Sequence, residues 1–266
     1  MTILDRIVEN KKRELVLAEA SVSIQELEGS KLFDRKTISL SSSILDPGKS
    51  GIIAEFKRKS PSKGAINTSA SVVDVTDGYF REGAAGVSIL TDFNFFGGSN
   101  KDLIMAREES FSPILRKDFT ISEYQVVEAK AIGADAILII AAILDGREIL
   151  NLSKLARSMG LEVLLEIHER AELEKVNEYI NIIGVNNRDL RSFEVNTAIS
   201  LELAPKIQAG FARISESGIS SPGEIHSLRA AGFDGFLIGE RFMASPDPVK
   251  AFSGFVKSIA LSHVES

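Results

Sequence analysis

Residues 51–64 read Gly-Ile-Ile-Ala-Glu-Phe-Lys-Arg-Lys-Ser-Pro-Ser-Lys-Gly, an apolar run that ends in charged side chains and then in a turn. A short run of this kind is typical of a strand buried on both faces. Charges on a buried strand are costly unless they are paired or used in chemistry. Because side chains alternate along a strand, Glu55, Lys57 and Lys59 share one face. The stretch predicts a strand that carries either a functional site or an ion pair at its C-terminal end.

The same apolar pattern recurs at intervals along the chain, with helical patterns between the runs. Glycines follow several of these helical patterns, as they do at helix ends. Eight strand–helix units predict an α/β fold, a (β/α)8 TIM barrel, with a doubly wound open sheet as the competing fold. The predicted strands are Ile52–Phe56, Gly86–Leu90, Ser112–Leu115, Asp135–Ile140, Leu161–Ile167, Ile182–Val185, Ala212–Ile214 and Gly235–Ile238. The predicted helices are Val72–Glu82, Ser99–Glu109, Ser122–Ile132, Arg147–Met159, Glu169–Glu178, Thr197–Ala204, Pro222–Ala231 and Pro248–Leu261.

Residues 1–47 do not fit this repeat. They predict a charged helix from Ile3 to about Ala18 and the start of another at Ile24–Leu27. Apolar side chains favour packing on the barrel over a disordered tail; they are Leu4, Ile7, Val8, Leu15 and Val16. We predict an N-terminal helical extension, residues 1–47, and a barrel, residues 48–266, that together form one structural domain.

Composition narrows the class of protein. The chain has 266 residues, a net charge of −6 and a pI near 5.3, which argues against a nucleic-acid partner. There is no cysteine, and the three histidines (His168, His226 and His263) are scattered, so we expect no metal site. No apolar run reaches transmembrane length and the N-terminus lacks a signal peptide, so we expect a cytoplasmic protein without a membrane partner.

In a (β/α)8 barrel, catalytic residues lie at the C-terminal ends of the strands. Arg116 and Lys117 directly follow the apolar run of the third strand, and alternation places one of them inward without deciding which. The fifth ends in Glu166, a candidate general base or else a structural partner of a lysine. His168 follows it and is expected in a loop or in a supporting position.

The last three strands end in polar and glycine-rich segments. Asn186 and Arg188 share a phase and suit hydrogen bonds to a hydroxyl, carboxylate or phosphate, although an Asn-Asn pair is also typical of a turn. After the seventh and eighth strands, glycines precede helix starts, an arrangement that suits backbone binding of phosphate. The candidate phosphate-binding residues are Gly218, Gly239 and Glu240, the last through its backbone with its own charge pointing away. Alternation does not decide between Glu216 and Ser217.

Five segments together resemble indole-3-glycerol phosphate synthase. They are 52–64, Leu-Thr-Asp (90–92) with Phe-Phe-Gly-Gly-Ser (95–99), Leu-Arg-Lys-Asp-Phe (115–119), Gly-Val-Asn-Asn-Arg-Asp-Leu (184–190) and Ser-Glu-Ser-Gly-Ile (215–219). The resemblance spans about Ile3 to Met243. It implies a carboxy-lyase of tryptophan biosynthesis that converts 1-(2-carboxyphenylamino)-1-deoxyribulose 5-phosphate to indole-3-glycerol phosphate, with loss of carbon dioxide and water. No cofactor is implied; the partner is a small phosphorylated substrate, and we expect a monomer or weak oligomer.

The resemblance also implies roles by motif position. Lys117 looks like the general acid that polarises the substrate ketone, and Glu166 like the carboxylate that handles protons in the dehydration. Lys57 resembles the lysine that contacts the substrate carboxylate and can also serve as an acid, and Glu55 resembles its partner, which can itself exchange protons. The remaining candidates would hold or flank the substrate; they are Asn186, Ser217, Arg188, Phe96, Phe119, Lys59, Ser60, Leu190 and Glu216.

One residue differs from the family's pattern, and three other kinds of barrel protein are alternatives. Arg241 stands in the phosphate region where a small or apolar residue is expected. Phosphoribosylanthranilate isomerase uses a cysteine, which this chain lacks, and the tryptophan synthase alpha subunit lacks the Glu-Phe-Lys-Arg-Lys-Ser segment. A non-catalytic phosphosugar-binding barrel would be expected to lack Lys57, Lys117 or Glu166.

Overall fold

A computed structural model describes residues 2–189, 192 and 194–262 of the chain. Eight parallel strands close into a barrel in which neighbours along the chain pair, and the last strand pairs with the first. The (β/α)8 barrel is therefore confirmed. Its strands are β1 (Ile52–Phe56), β2 (Gly86–Leu90), β3 (Ile114–Lys117), β4 (Ala136–Ile140), β5 (Glu162–Ile167), β6 (Ile182–Asn186), β7 (Ala212–Glu216) and β8 (Gly235–Ile238).

Helices precede the barrel and alternate with its strands. The helices are α1 (Ile3–Ser21), α2 (Ile24–Glu28), α3 (Leu40–Ile44), α4 (Val72–Arg81), α5 (Phe93–Phe96), α6 (Asn100–Glu109), α7 (Glu123–Ala131), α8 (Gly146–Ser158), α9 (Ala198–Leu203), α10 (Pro222–Ala230), α11 (Glu240–Met243) and α12 (Pro248–Ser262). Short 3₁₀ turns cover Ala141–Ile143, Arg170–Lys175 and Ala204–Lys206, and an antiparallel pair joins Lys59–Ser60 to Gly64–Ala65. None of the helices in the described ranges is both long and apolar enough to cross a membrane.

The helix predicted at Glu169–Glu178 is wrong: that segment contains only the 3₁₀ turn Arg170–Lys175. The carboxylate of Glu172 accepts hydrogen bonds from the backbone N–H groups of His168 and Glu169, which tightens the chain as it leaves β5. Lys175 Nζ donates to the carbonyls of Ala141 and Leu144 at 2.7 and 2.9 Å. Side-chain hydrogen bonds thus hold this segment in a short turn instead of a regular α-helix.

Two strands extend beyond their apolar runs into charged residues. The sequence pattern predicts a third strand at Ser112–Leu115, whereas β3 runs on through Arg116 and Lys117. In the same way β7 continues to Glu216. An apolar run predicts only the apolar part of a strand. The hydrogen-bonded strand itself continues into charged residues whose side chains have partners.

The barrel interior and its outer layer form separate apolar clusters. Inward side chains such as Ile53, Leu115 and Leu164 form the inner cluster, which α3 closes at the N-terminal end with Leu40 and Ile44. Outward side chains of the strands pack against the surrounding helices in the larger cluster. Because inward positions alternate, the phase of Ile53, Leu115 and Leu164 continues into polar residues at the C-terminal strand ends.

The N-terminal extension packs on both the flank and the mouth of the barrel. Leu27 of α2 contacts Tyr124 and Val127 of α7, and Ile7 of α1 is buried. The apolar contact predicted for Val16 is wrong, since its side chain is 67% exposed. The helical pattern identified α1, but not which turn of α1 meets the barrel.

Candidate active site

A cavity of about 880 Å³ lies at the C-terminal ends of the strands. Its walls bring together most of the side chains predicted from the sequence, namely Glu55, Lys57, Ser60, Phe96, Lys117, Phe119, Glu166, Asn186, Arg188, Glu216, Ser217, Gly218, Gly239 and Glu240. They come from strands and loops around the whole ring. A site assembled from many strand ends is the usual arrangement in a (β/α)8 barrel.

Lys117 lies at the centre of the charged floor of this cavity. Its Nζ donates to Oε2 of Glu166 at 2.7 Å and to Oε2 of Glu216 at 3.1 Å. Burial opposes the charged ammonium, but the two carboxylates outweigh burial and raise the pKa of Lys117 well above its ordinary value. Arg116 takes the opposite phase and donates to Glu128 and to the carbonyl of Gln125, so Lys117 is the inward basic residue of β3.

Glu166 is held as a carboxylate by groups on several sides. Oε1 accepts a hydrogen bond from Asn186 Nδ2 at 3.1 Å and lies 3.4 Å from Nε2 of His168. Burial favours the protonated form, but the charges of Lys117 and His168 lower the pKa of Glu166 to about 2. Burial also disfavours a charged His168, yet Glu172 and Glu166 raise its pKa. His168 thus supports Glu166 rather than lining the cavity.

Glu216 differs from Glu166, because its surroundings favour the protonated carboxyl group. Its burial, together with the charge of Glu166, raises its pKa to about 7 in spite of Lys117. Oε1 of Glu216 is buried and has no hydrogen-bond partner among the described residues. The space for this carboxylate exists because β6 has Gly184 beside it, where a Cβ atom would lie 2.2 Å from Oε1. Glu166 and Glu216 are therefore two neighbouring carboxylates with different proton affinities.

Glu55 and Lys57 form a second charged pair on the opposite wall, with 2.7 Å between Glu55 Oε1 and Lys57 Nζ. Gly239 of the β8 loop lies against this pair, and a Cβ atom there would come within 2.5 Å of Oε1. Glu55 is buried, whereas Lys57 is partly exposed to the cavity. The ammonium group of Lys57 is thus available to an anionic ligand.

An aromatic pair lines another wall of the cavity. The rings of Phe96 and Phe119 have centroids 6.0 Å apart and planes inclined by 36°. Two aromatic faces at this separation can contact a planar ligand from its edge and face. Ile3, Leu4 and Ile7 of α1 add apolar surface to the cavity.

The loops after β7 and β8 form the side predicted to bind phosphate. Ser217 has a positive φ of 67° and is followed by Gly218 at 78°, so the chain turns sharply with its backbone at the cavity wall. Gly239 leads into α11 on the neighbouring strand. Both Glu216 and Ser217 line the cavity, which resolves the ambiguity left by alternation.

Glu240 and Arg241 extend this side to the rim. The Glu240 carboxylate lies 3.6 Å from Lys63 Nζ and 3.8 Å from Arg188 Nη2, so cations flank its charge. The guanidinium of Arg241 stacks on Phe255, 4.6 Å from the ring centroid. The unusual Arg241 is thus packed against α12.

Two predicted residues are not among those that line the cavity. Lys59 Nζ donates to the carbonyl of Asn94 at 2.7 Å and lies over the ring of Phe93. Leu190 lies outside the described residues. The cavity is also lined by residues that the strand ends do not indicate, namely Ile3, Leu4, Ile7, Lys63 and Val195. The apolar face of α1 was a signal for the first three, although it did not indicate which part of the barrel they meet.

Within the described ranges no group of three or more acidic or histidine side chains is arranged to hold a metal ion. The lysines and carboxylates of the cavity are instead engaged with one another. The arrangement can donate protons, accept protons and bind an anion.

Comparisons with known proteins agree with this geometry. The family model described as indole-3-glycerol phosphate synthase matches residues 4–255. A protein of that name from Bacteroides thetaiotaomicron is 45% identical over 257 residues, covering 97% of this chain and 98% of the relative. Another from Acidovorax sp. is 39% identical and covers 94% and 97%. A tryptophan synthase alpha subunit from Legionella pneumophila has a similar fold, with a TM-score of 0.61, 14% identity and coverage of 86% and 100%.

Proposed function

The chain belongs to the indole-3-glycerol phosphate synthase family, and we propose that the cavity at its barrel mouth carries out that family's reaction through the residues described above. The family's enzymes are decarboxylating lyases of tryptophan biosynthesis. The reaction converts 1-(2-carboxyphenylamino)-1-deoxyribulose 5-phosphate to indole-3-glycerol phosphate, carbon dioxide and water. It needs a proton for a ketone oxygen, an exit for carbon dioxide, and proton transfers for the loss of water.

Lys117 is our candidate for the acid of ring closure. As the aryl carbon that bears the carboxylate attacks the ketone carbon, the ketone oxygen gains negative charge. A buried ammonium group directed at that oxygen stabilises the charge and delivers the proton. The 2.7 Å contact with Glu166 supports this role, because it holds Nζ in the cavity and keeps it charged.

Decarboxylation follows from the same geometry. Breaking the bond to the carboxylate returns two electrons to the ring and restores its aromaticity. We place the carboxylate beside Lys57, whose Nζ faces the cavity from its pair with Glu55, which orients the lysine. Phe96 and Phe119 would contact the aryl ring, where their 6.0 Å separation supports a planar occupant.

Dehydration is the step we assign to Glu166. In this step the hydroxyl leaves as water with a proton from the ammonium group of Lys57, and Glu166 accepts the proton lost from the carbon next to the ring nitrogen. While Lys117 is charged, Glu166 is a weak base with a pKa of about 2. Once Lys117 has given its proton to the substrate, the neighbouring positive charge is gone and Glu166 becomes a stronger base. Ring closure therefore precedes dehydration, because Glu166 becomes an effective base only after Lys117 has lost its charge.

The remaining residues would hold the sugar phosphate and its hydroxyl groups. We propose that Asn186, Ser217 and Glu216 hydrogen-bond the reacting region, with the unpartnered Oε1 of Glu216 as an acceptor. Arg188 would position the chain, and Ser60 would contact the substrate near Lys57. The backbone N–H groups at Gly218, Gly239 and Glu240 would bind phosphate, away from the reacting carbons.

We also propose a domain organisation, an oligomeric state and a type of partner for the chain. The cavity wall contains residues of α1 as well as of the strands, which supports the extension and the barrel forming one structural domain. All the groups needed for the reaction come from one chain, which supports a monomer or a weak oligomer. The net charge of −6 supports a small-molecule substrate rather than a nucleic acid.

The observation that carries the proposal is the position of Lys117 between Glu166 and Glu216, in one cavity with the Glu55–Lys57 pair. The test mixes purified protein with the synthetic carboxyphenylamino substrate and follows indole fluorescence and carbon dioxide. We expect both products in equal amounts. If the substrate binds and neither product forms, the protein is a phosphosugar-binding barrel and the proposal is wrong.

A further inference from the structure

Lys11 of α1 is buried where the N-terminal extension meets the barrel mouth, with 5% of its surface exposed. Its ammonium group faces three carboxylates: Glu14 at 2.7 Å, Asp118 at 3.0 Å and Asp92 at 3.1 Å. The contact with Asp92 is an ion pair without a hydrogen bond, since Oδ2 of Asp92 has no hydrogen-bond partner among the described residues. Burial disfavours the charge, but the carboxylates raise the pKa of Lys11 and keep it protonated.

Stability alone does not account for this lysine. Apolar residues of similar volume often replace buried ion pairs without loss of stability. The neighbouring Lys12 and Arg13 are exposed, as expected for the charged residues of such a helix.

Each of the three carboxylates is tied to a segment that bears an aromatic ring of the cavity. Asp92 caps α5 by accepting a hydrogen bond from the N–H of Phe95 at 2.8 Å, and α5 ends at Phe96. Glu14 accepts a hydrogen bond from Asn94 of the same helix at 2.8 Å.

Asp118 contacts the segment that bears Phe119, the second aromatic ring of the cavity wall. One of its oxygens faces Lys11 and accepts a hydrogen bond from the N–H of Phe119 at 2.8 Å. The other accepts from Thr91 at 2.5 Å. Through these contacts a single ammonium group joins α5, which bears Phe96, to the segment that bears Phe119. The two rings lie 6.0 Å apart at the cavity wall.

We propose that Lys11 is a positioning residue that sets the separation of Phe96 and Phe119 and thereby shapes the part of the cavity that receives the aryl ring of the substrate. The inference rests on the proposed function in placing that ring between the two phenylalanines. Without Lys11, Asp92 would lose its ion-pair partner and Asp118 would keep only Arg116 at 3.4 Å, so repulsion between the two carboxylates would move the two segments apart. Lys57, Lys117 and Glu166 would keep their own partners.

The test compares Lys11→Met with Lys12→Met, an exposed neighbour on the same helix, in the indole fluorescence assay. Lys11→Met should raise KM by about tenfold, because a displaced ring wall removes contacts with the aryl ring that the ground state and the transition state share. Its kcat should fall much less, and Lys12→Met should match the parent. If Lys11→Met has the parent's KM, the inference is wrong.

A double-mutant cycle separates positioning from a general structural effect. In a Phe96→Ala background, Lys11→Met should change KM by less than twofold, because one of the two rings whose separation the lysine sets is absent. An equal rise in KM in both backgrounds would overturn the inference. If Lys11→Met does not fold, Asp92→Asn takes its place in the cycle with the same expected outcomes. If the parent itself forms no indole product, the proposed function fails, which is a different result from an active parent with an unaffected Lys11 variant.

Discussion

Lys117 and Glu166 form a 2.7 Å ion pair across the barrel mouth, although they come from β3 and β5 with β4 between them. The contact is possible because both side chains point inward at the C-terminal ends of their strands. Each group shifts the proton affinity of the other, so neither acts as an independent acid or base. The chemistry of the site follows from this coupling.

Lys117→Ala should lower kcat by about 10²-fold or more, in line with the loss of a general acid. The barrel should remain folded, but Glu166 and Glu216 would then be two buried carboxylates without their common cation. Stopped-flow indole fluorescence measures the rate, and circular dichroism checks the fold. Lys154→Ala, an exposed lysine on α8, is the control. Equal turnover by parent and Lys117→Ala would contradict the acid assignment.

Glu166→Gln should separate carbon dioxide release from indole formation. Glutamine keeps the shape and can still contact Lys117, but it cannot accept the proton that the dehydration releases. In a single turnover we expect carbon dioxide to approach one equivalent while indole fluorescence rises about 10²-fold or more slowly than in the parent. If both products slow together, Glu166 acts at or before decarboxylation, and our assignment of the dehydration is wrong.

The strands could be predicted from their apolar runs. Charged residues at the ends of these runs could be predicted as site residues because a buried charge is costly unless it is paired or used in chemistry. Glu55 and Glu166 stand out in this way, whereas alternation leaves the choice between Arg116 and Lys117 open until the register of β3 is known. Lys59 is not among the residues that line the cavity, because side-chain alternation holds only within a strand and β1 ends at Phe56. Lys11 could not be singled out, since a lysine on a charged helix is ordinarily solvated. Its environment depends on residues 92 and 118, which only the tertiary fold brings close.

Stability should depend on pH through Glu216. Its folded-state pKa of about 7 lies above the ordinary value of 4.5, so the folded protein holds this proton more tightly than the unfolded chain does. Between pH 4.5 and 7 the folded state is therefore favoured at lower pH, and this contribution is lost as the pH rises. At about 1.4 kcal/mol per pH unit, the loss is on the order of 3 kcal/mol.

The measurement for Glu216 is urea unfolding of the parent and of Glu216→Gln at pH 5, 6, 7 and 8. The free energy of unfolding of the parent, minus that of the variant, should fall with pH up to about 7 and then level off. Subtraction removes the titration of shared groups that lie far from residue 216. A difference that grows with pH would mean that the folded state favours ionised Glu216.

Inorganic phosphate should inhibit competitively, raising the apparent KM without changing kcat. The expected site is the backbone of the loops after β7 and β8, at Gly218 and Gly239. Sulfate, with its similar shape and charge, should also compete, whereas chloride at matched ionic strength should not. Initial rates over a range of substrate concentrations distinguish a competitive effect from a general salt effect. Unchanged kinetics at high phosphate, in an enzyme that turns over its phosphorylated substrate, would place the phosphate group of the substrate elsewhere in the cavity.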